Sequence, residues 1–206
     1  MIKVSQQDQI QILELNRPKV NAIDESLIKA LNAELDKSES DNSIKGIILT
    51  GQDGIFSGGL DIINLYEKDK EYMKSFWDLF SNLLLKIYRY PKLIFTAISG
   101  HSPAGGTVIS IMTDYRIMSK GNYVIGLNEV AVGLSMPIAI GRVFQSLLGE
   151  RVAEKMTLTG KLVNPDKALE IGLIDEAIDS ENLLKHSINT MNEWLKLPFN
   201  KQIESK

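Results

Sequence analysis

Two glycine-rich stretches hold the residues best suited to chemistry, Phe56-Ser57-Gly58-Gly59-Leu60-Asp61 and Ser102-Pro103-Ala104-Gly105-Gly106. Each follows a short apolar run of buried-strand type. Glycine admits positive φ and lets a ligand come close to the main chain. The second stretch also opens an apolar segment, Thr107 to Met112, that should be helical, and the first amides of a helix have no internal partner. Two such corners can aim two N–H donors at a single oxygen, which helps a reaction only where negative charge develops there. On residue types alone, plain turns are the commoner account. The Gly-Lys-Ser/Thr of a phosphate loop is missing from both corners, as is the G-x-G-x-x-G fingerprint of dinucleotide sites.

Composition removes several other chemistries. The chain has no cysteine, so disulfides, Cys-based zinc sites and thiol nucleophiles are excluded. Its two histidines, His101 and His186, are far apart in sequence, and metal-free chemistry is expected. A net charge of -3 gives no basic surface for nucleic acid and no polybasic membrane patch. No stretch approaches the roughly 18 uninterrupted apolar residues of a membrane span, and Met1 to Val4 do not begin an apolar leader. The expectation is a cytoplasmic protein without nucleic-acid or membrane partners. At 206 residues and 44% hydrophobic content, the chain can bury a sizeable core in one domain.

The elements that position the two corners can be read from periodicity. Ile10 to Leu15 alternate as a short strand ended by Asn16-Arg17-Pro18. Asp24 is an N-cap for a helix with Leu27, Ala30, Leu31 and Leu35 on one face. Ile44 to Thr50 and Leu93 to Ile98 are buried strands, each running into a glycine corner. Between them, Met73, Phe76, Trp77, Phe80, Leu83, Leu84, Ile87 and Tyr88 recur at helical spacing over residues 71–90. Asp114 to Met118 and Tyr123 to Ile125 are further short strands. Pro137 to Leu148, Glu150 to Thr157, Pro165 to Ile171 and Asn182 to Leu195 are helical, followed by a polar tail. This alternation predicts an α/β protein, with a core over residues 1–136 carrying the site and a helical region over residues 137–206.

Five ordered motifs resemble the enoyl-CoA hydratase/isomerase (crotonase) family over roughly residues 10–195. They are Asn16-Arg17-Pro18 with Asn21-Ala22, Phe56 through Asp61, and Gly100 through Gly106 with Asp114-Tyr115-Arg116. Ile125-Gly126-Leu127-Asn128-Glu129 and Ala168 through Asp175 complete the set. Within the family the likeness is greatest to Δ3,Δ2-enoyl-CoA isomerases of mitochondrial type. The resemblance implies a crotonase-type spiral of ββα units capped by C-terminal helices, and a homotrimer or dimer of trimers. It further implies an acyl-CoA substrate that itself carries the CoA, with no separate cofactor. Family members continue well past this chain's last residue, so a shortened C-terminus is expected, with the trimer contacts and far pocket wall altered accordingly.

Carried over residue by residue, the resemblance makes Gly58 and Gly105 the amide donors and Glu129 the catalytic carboxylate. Lys19, Val20, Ala22, Ser57, Gly59, Leu60, Asp61 and Val108 fall at substrate-binding positions. Hydratases of the family carry a second glutamate where this chain has Val108. Hydration must orient and deprotonate a water and protonate carbon, work that two carboxylates divide and a valine cannot share. Moving a double bond needs one group that removes a proton from C2 of a 3-enoyl thioester and returns it at C4. The expected activity is therefore Δ3,Δ2-enoyl-CoA isomerisation by Glu129, in an apolar setting that raises its pKa. Another acyl-thioester reaction on the same scaffold is one rival: hydratase, hydrolase or decarboxylase, with CoA or a carrier protein. A non-catalytic acyl-CoA binder or assembly subunit is the other. His101 is expected on a loop, Asp114 and Arg116 as a structural pair, and Asp61 as a cap.

Overall fold

The computed structural model describes residues 1–205. The chain opens with a hairpin, β1 (Ile2–Gln7) antiparallel to β2 (Ile10–Leu15), with Ile2 opposite Leu15 and Gln7 opposite Ile10. β1 is exposed except at Ile2, so its polar residues carry no alternation from which a strand could be read. After Asp24 comes α1 (Glu25–Ser40), whose first turn donates Leu27 N–H to the Asp24 carboxylate at 2.8 Å, the N-cap expected from sequence. Leu27, Ile28, Leu31 and Leu35 form its buried stripe.

The remaining elements repeat one pattern. β3 (Gly46–Thr50) leads to β4 (Gly54–Ile55), then to α2 (Ile62–Leu65) and α3 (Lys70–Tyr88). β5 (Leu93–Ile98) leads to β6 (Gly100–Pro103) and α4 (Gly105–Ile111). β7 (Tyr115–Ser119) leads to β8 (Ile125–Gly126), a 3₁₀ turn (Glu129–Val132), and then α5 (Ile138–Leu148), α6 (Glu150–Thr159) and α7 (Pro165–Glu170). β9 (Glu176–Ile178), α8 (Leu183–Trp194) and α9 (Phe199–Glu204) finish the chain. The long strands make a six-stranded sheet in the order β1-β2-β3-β5-β7-β9, parallel after the first hairpin. The short ones make a second, parallel sheet, β4-β6-β8. This is the crotonase-type spiral of ββα units with a helical C-terminal region.

Other elements also differ from the sequence reading. Gly100 to Pro103, which runs into the second glycine corner, is a strand of the small sheet, so His101 sits in β6 and not on a loop. β9 was not expected, because three half-buried residues show no pattern. Part of the polar tail forms α9.

Both faces of the large sheet are covered. Leu13, Leu15, Ile47, Leu49, Ile94 and Ile98 pack toward α1, α3 and α4. On the opposite face, Ile10, Ile12, Ile48, Phe95 and Ile117 pack against Leu183, Ile188 and Met191 of α8. The Trp194 ring centre lies 5.0 Å from that of Phe95 and 5.1 Å from that of Tyr115. Such strands, buried on both sides, read as continuous apolar runs. Among the described residues, no helix is long and apolar enough to cross a membrane.

Candidate active site

The first glycine corner is built by contacts that cross the sequence. Phe56 N–H and Ser57 N–H donate to His101 O of β6 at 3.0 and 3.3 Å. Asn21, fully buried with φ of 50°, donates its side-chain amide to Phe56 O at 3.0 Å and accepts Ser57 Oγ–H on its own carbonyl at 2.8 Å. These bonds absorb most of the corner's main-chain donors. Gly58 N–H donates to Val20 O at 2.7 Å, Gly59 N–H to Ser57 Oγ at 3.2 Å, and Asp61 N–H to Ile23 O at 3.0 Å. Gly58 is thereby corrected as an amide donor to substrate, since its N–H is already paired. Leu60 N–H is the amide of this corner without an acceptor among the described residues.

The second corner leaves a matching amide. Ala104, with φ of 46°, turns the chain from β6 into α4. Gly105 is the first residue of the helix, so its N–H is one of the orphan donors of a helix start. Gly59 has φ of 91°, and the two corners abut. A methyl group added at Gly105 would lie 3.3 Å from Leu60 N, and one added at Gly59 would lie 3.4 Å from Gly105 N. Glycine is required at both positions for the two N–H groups to share one opening.

Glu129 faces the same opening. Ala104 N–H donates to Gly126 O, and Gly126 N–H to Thr107 Oγ1, each at 2.8 Å. This stapling of β8 to the start of α4 fixes the place of the carboxylate relative to Gly105. Gly58, Leu60, Gly105, Val108 and Glu129 line one cavity of about 290 Å³ with Trp77, Phe80, Asn128 and Leu134. Among the described residues, Glu129 is the sole ionisable side chain in that lining. Its Oε2 is buried without a hydrogen-bond partner. Burial pushes the carboxyl above the usual carboxylate range, opposed in smaller part by its own backbone N–H. An unpaired buried acceptor is costly, most of all when it carries charge, which is why burial favours the neutral form.

The other expected residues take supporting places. Val108 is buried on α4 and adds only apolar surface. Asp61 caps α2 through Asn64 N–H and pairs with Arg17 at 2.7 Å. Lys19 and Val20 are exposed on the loop before Asn21, and Ala22 is half-buried. His101 accepts Val124 N–H on Nδ1 at 3.3 Å. Arg116 lies 2.8 Å from Asp175, and Asp114 accepts Ile94 N–H at 2.8 Å. Sequence reasoning did not single out Asn128 as a lining residue, whereas Leu134 was among the apolar neighbours expected around Glu129. Neither belongs to a periodic stretch. Trp77 and Phe80 sit three apart on α3, in the first turns of the aromatic stripe that the family resemblance allowed as an acyl-tunnel wall. Among the described residues, no group of three acidic or histidine side chains could hold a metal ion.

Comparison with known proteins agrees with this architecture. The family model for enoyl-CoA hydratase/isomerase matches residues 5–203. Enoyl-CoA delta isomerase 1, mitochondrial, from mouse is 32% identical over 191 residues, which are 92% of this chain and 66% of the mouse protein. The rat protein of that name is 33% identical over the same shares. The chain thus spans just under two thirds of these relatives. The crystal structure of human mitochondrial Δ3-Δ2-enoyl-CoA isomerase superposes with a TM-score of 0.96 at 27% identity, covering 99% of this chain and 81% of that one. The expectation of a cytoplasmic protein is corrected by these relatives, which are mitochondrial enzymes; lack of a leader-like start was no guide to compartment. With a model match along nearly its whole length, the chain belongs to the enoyl-CoA hydratase/isomerase family.

Proposed function

We propose that the chain is a Δ3,Δ2-enoyl-CoA isomerase that moves a carbon–carbon double bond by a 1,3-proton shift. The single observation that carries this reading is that Glu129 is, among the described residues, the sole ionisable group lining the cavity that Leu60 and Gly105, whose amides have no acceptor there, also line. The ionised Glu129 takes a proton from C2 of the 3-enoyl thioester. The electron pair spreads into a dienolate whose charge rests partly on the thioester oxygen, between the two amides. The protonated Glu129 then delivers the proton to C4, giving the 2-enoyl thioester with no change in mass. Each amide donor contributes about 2.7–4 kcal/mol in enzymes that use such a hole. Val108, in place of a second carboxylate, leaves Glu129 without a partner to share the work of adding water, which favours isomerisation over hydration. The mouse and rat relatives bearing the isomerase name support the same choice. A homotrimer or dimer of trimers belongs to the same proposal, and sedimentation equilibrium checks it.

The test is product analysis with trans-3-hexenoyl-CoA and purified protein, without added cofactor. A conjugated 2-enoyl thioester of unchanged mass is expected. Gain of one water would make the enzyme a hydratase, release of free CoA a hydrolase, and unchanged substrate a binder.

A further inference from the structure

Arg17 sits outside the cavity lining, yet it is bonded to both supports of the Leu60 peptide. Its Nη2 lies 2.7 Å from Asp61 Oδ2 and 3.0 Å from Asp24 Oδ2. All three side chains are largely buried, with 22%, 18% and 15% exposure for Arg17, Asp61 and Asp24. Each carboxylate also caps a helix: Asp24 accepts Leu27 N–H at 2.8 Å, and Asp61 accepts Asn64 N–H at 3.3 Å. Between the two aspartates runs a short bridge of backbone bonds. Ile23 N–H donates to Gly59 O at 2.8 Å and Asp61 N–H donates to Ile23 O at 3.0 Å. Leu60 is thus held on both sides, and its own N–H is left pointing away from the bridge.

One guanidinium therefore balances two carboxylates whose caps fix the ends of α1 and α2. Without it, two like charges converge on one spot in a poorly solvated place and push the segments apart. The segments they would push apart are the two that meet at Ile23 and Leu60. A preorganised donor is effective only if its direction is fixed before charge develops. We propose that Arg17 is a positioning residue, which acts through Asp61 and Asp24 to aim the Leu60 amide at the acyl oxygen. This rests on the reading of Leu60 and Gly105 as the donors to the thioester.

The test reads the carbonyl directly. Hexanoyl-CoA labelled with ¹³C at C1 is bound to wild type, Arg17→Met and Arg17→Lys, and the thioester carbonyl stretch is recorded by difference infrared spectroscopy. Wild type should shift the band to lower frequency than in water. Arg17→Met should lose most of that shift, and Arg17→Lys should recover part of it. In parallel, kcat for 3-hexenoyl-CoA should fall about tenfold or more in Arg17→Met, with KM changed far less. A wild-type band shift that Arg17→Met leaves in place would overturn the proposal, even if stability or activity fell. Absence of the shift in wild type would overturn the donor reading and the role of Arg17 together. If Arg17→Met does not fold, Arg17→Gln, which keeps a hydrogen-bond donor beside the two carboxylates but no charge, is read in the same way: loss of most of the shift supports the proposal and a retained shift overturns it.

Discussion

Gly105 and Leu60 meet so closely that a single methyl group on Gly105 would lie 3.3 Å from the Leu60 nitrogen and 2.8 Å from Ile23 Cδ1. Gly105→Ala should therefore disturb the shared opening and leave most of the core intact. We expect kcat for 3-hexenoyl-CoA to drop by about 10²-fold, the scale of one lost oxyanion donor. Steady-state kinetics beside a thermal melt check this; full activity with a normal melt would show that the opening does not hold the thioester oxygen.

The raised pKa of Glu129 sets the sign of the pH–rate profile. Removal of the C2 proton needs the carboxylate, so kcat/KM should be low in acid and rise with pH. The rise should be centred above the ordinary glutamate value of 4.5. Measuring kcat/KM across the range in which the protein stays folded locates the inflection. An inflection at or below the ordinary value would mean that burial does not tune this group.

The same carboxyl affects stability in the opposite sense. Its folded pKa lies above the unfolded one, so its contribution is fully present below the unfolded pKa and lost as pH rises through the folded pKa. Glu129→Gln, uncharged at every pH, should melt a few degrees higher than wild type at pH 8 and show a smaller gain near pH 4. Paired calorimetric scans at the two pH values check it. An equal gain at both would assign the effect to packing instead of charge.

Val108 is 2% exposed and lines the cavity from α4. Val108→Glu should place a second carboxylate in the cavity and lower the melting temperature, because a buried charge without a partner is unfavourable. In that variant a fraction of 2-hexenoyl-CoA should gain one water, detected by mass. If hydration is absent from the folded variant, a second carboxylate at this position is not sufficient for it.

Much of the frame was legible because it rests on local patterns. The Asp24 cap, the stripe of α3 and the apolar runs of β3 and β5 are each set by neighbours within a turn or a strand. β1 was not, since an edge strand facing water needs no apolar face. β6 was not read as a strand because its glycine and proline suit a turn, and only its pairing with β4 and β8 makes it one. The amide donors show the same limit. Gly58 was chosen by position in a motif, but its N–H is taken by Val20 O, a partner in a distant loop. With Gly59 in the left-handed region, the adjoining free amide is that of Leu60. Glu129 was found by resemblance alone, because nothing in a single glutamate between apolar neighbours sets it apart from a surface residue.

The most direct test of the account compares wild type with Glu129→Gln for both turnover and binding of trans-3-hexenoyl-CoA. The account predicts that kcat falls by about 10²–10⁴-fold, the scale of a lost acid–base group, while the dissociation constant stays within a few-fold because both amide donors remain. A variant that turns substrate over at close to the wild-type rate would contradict Glu129 as the group that carries the proton from C2 to C4.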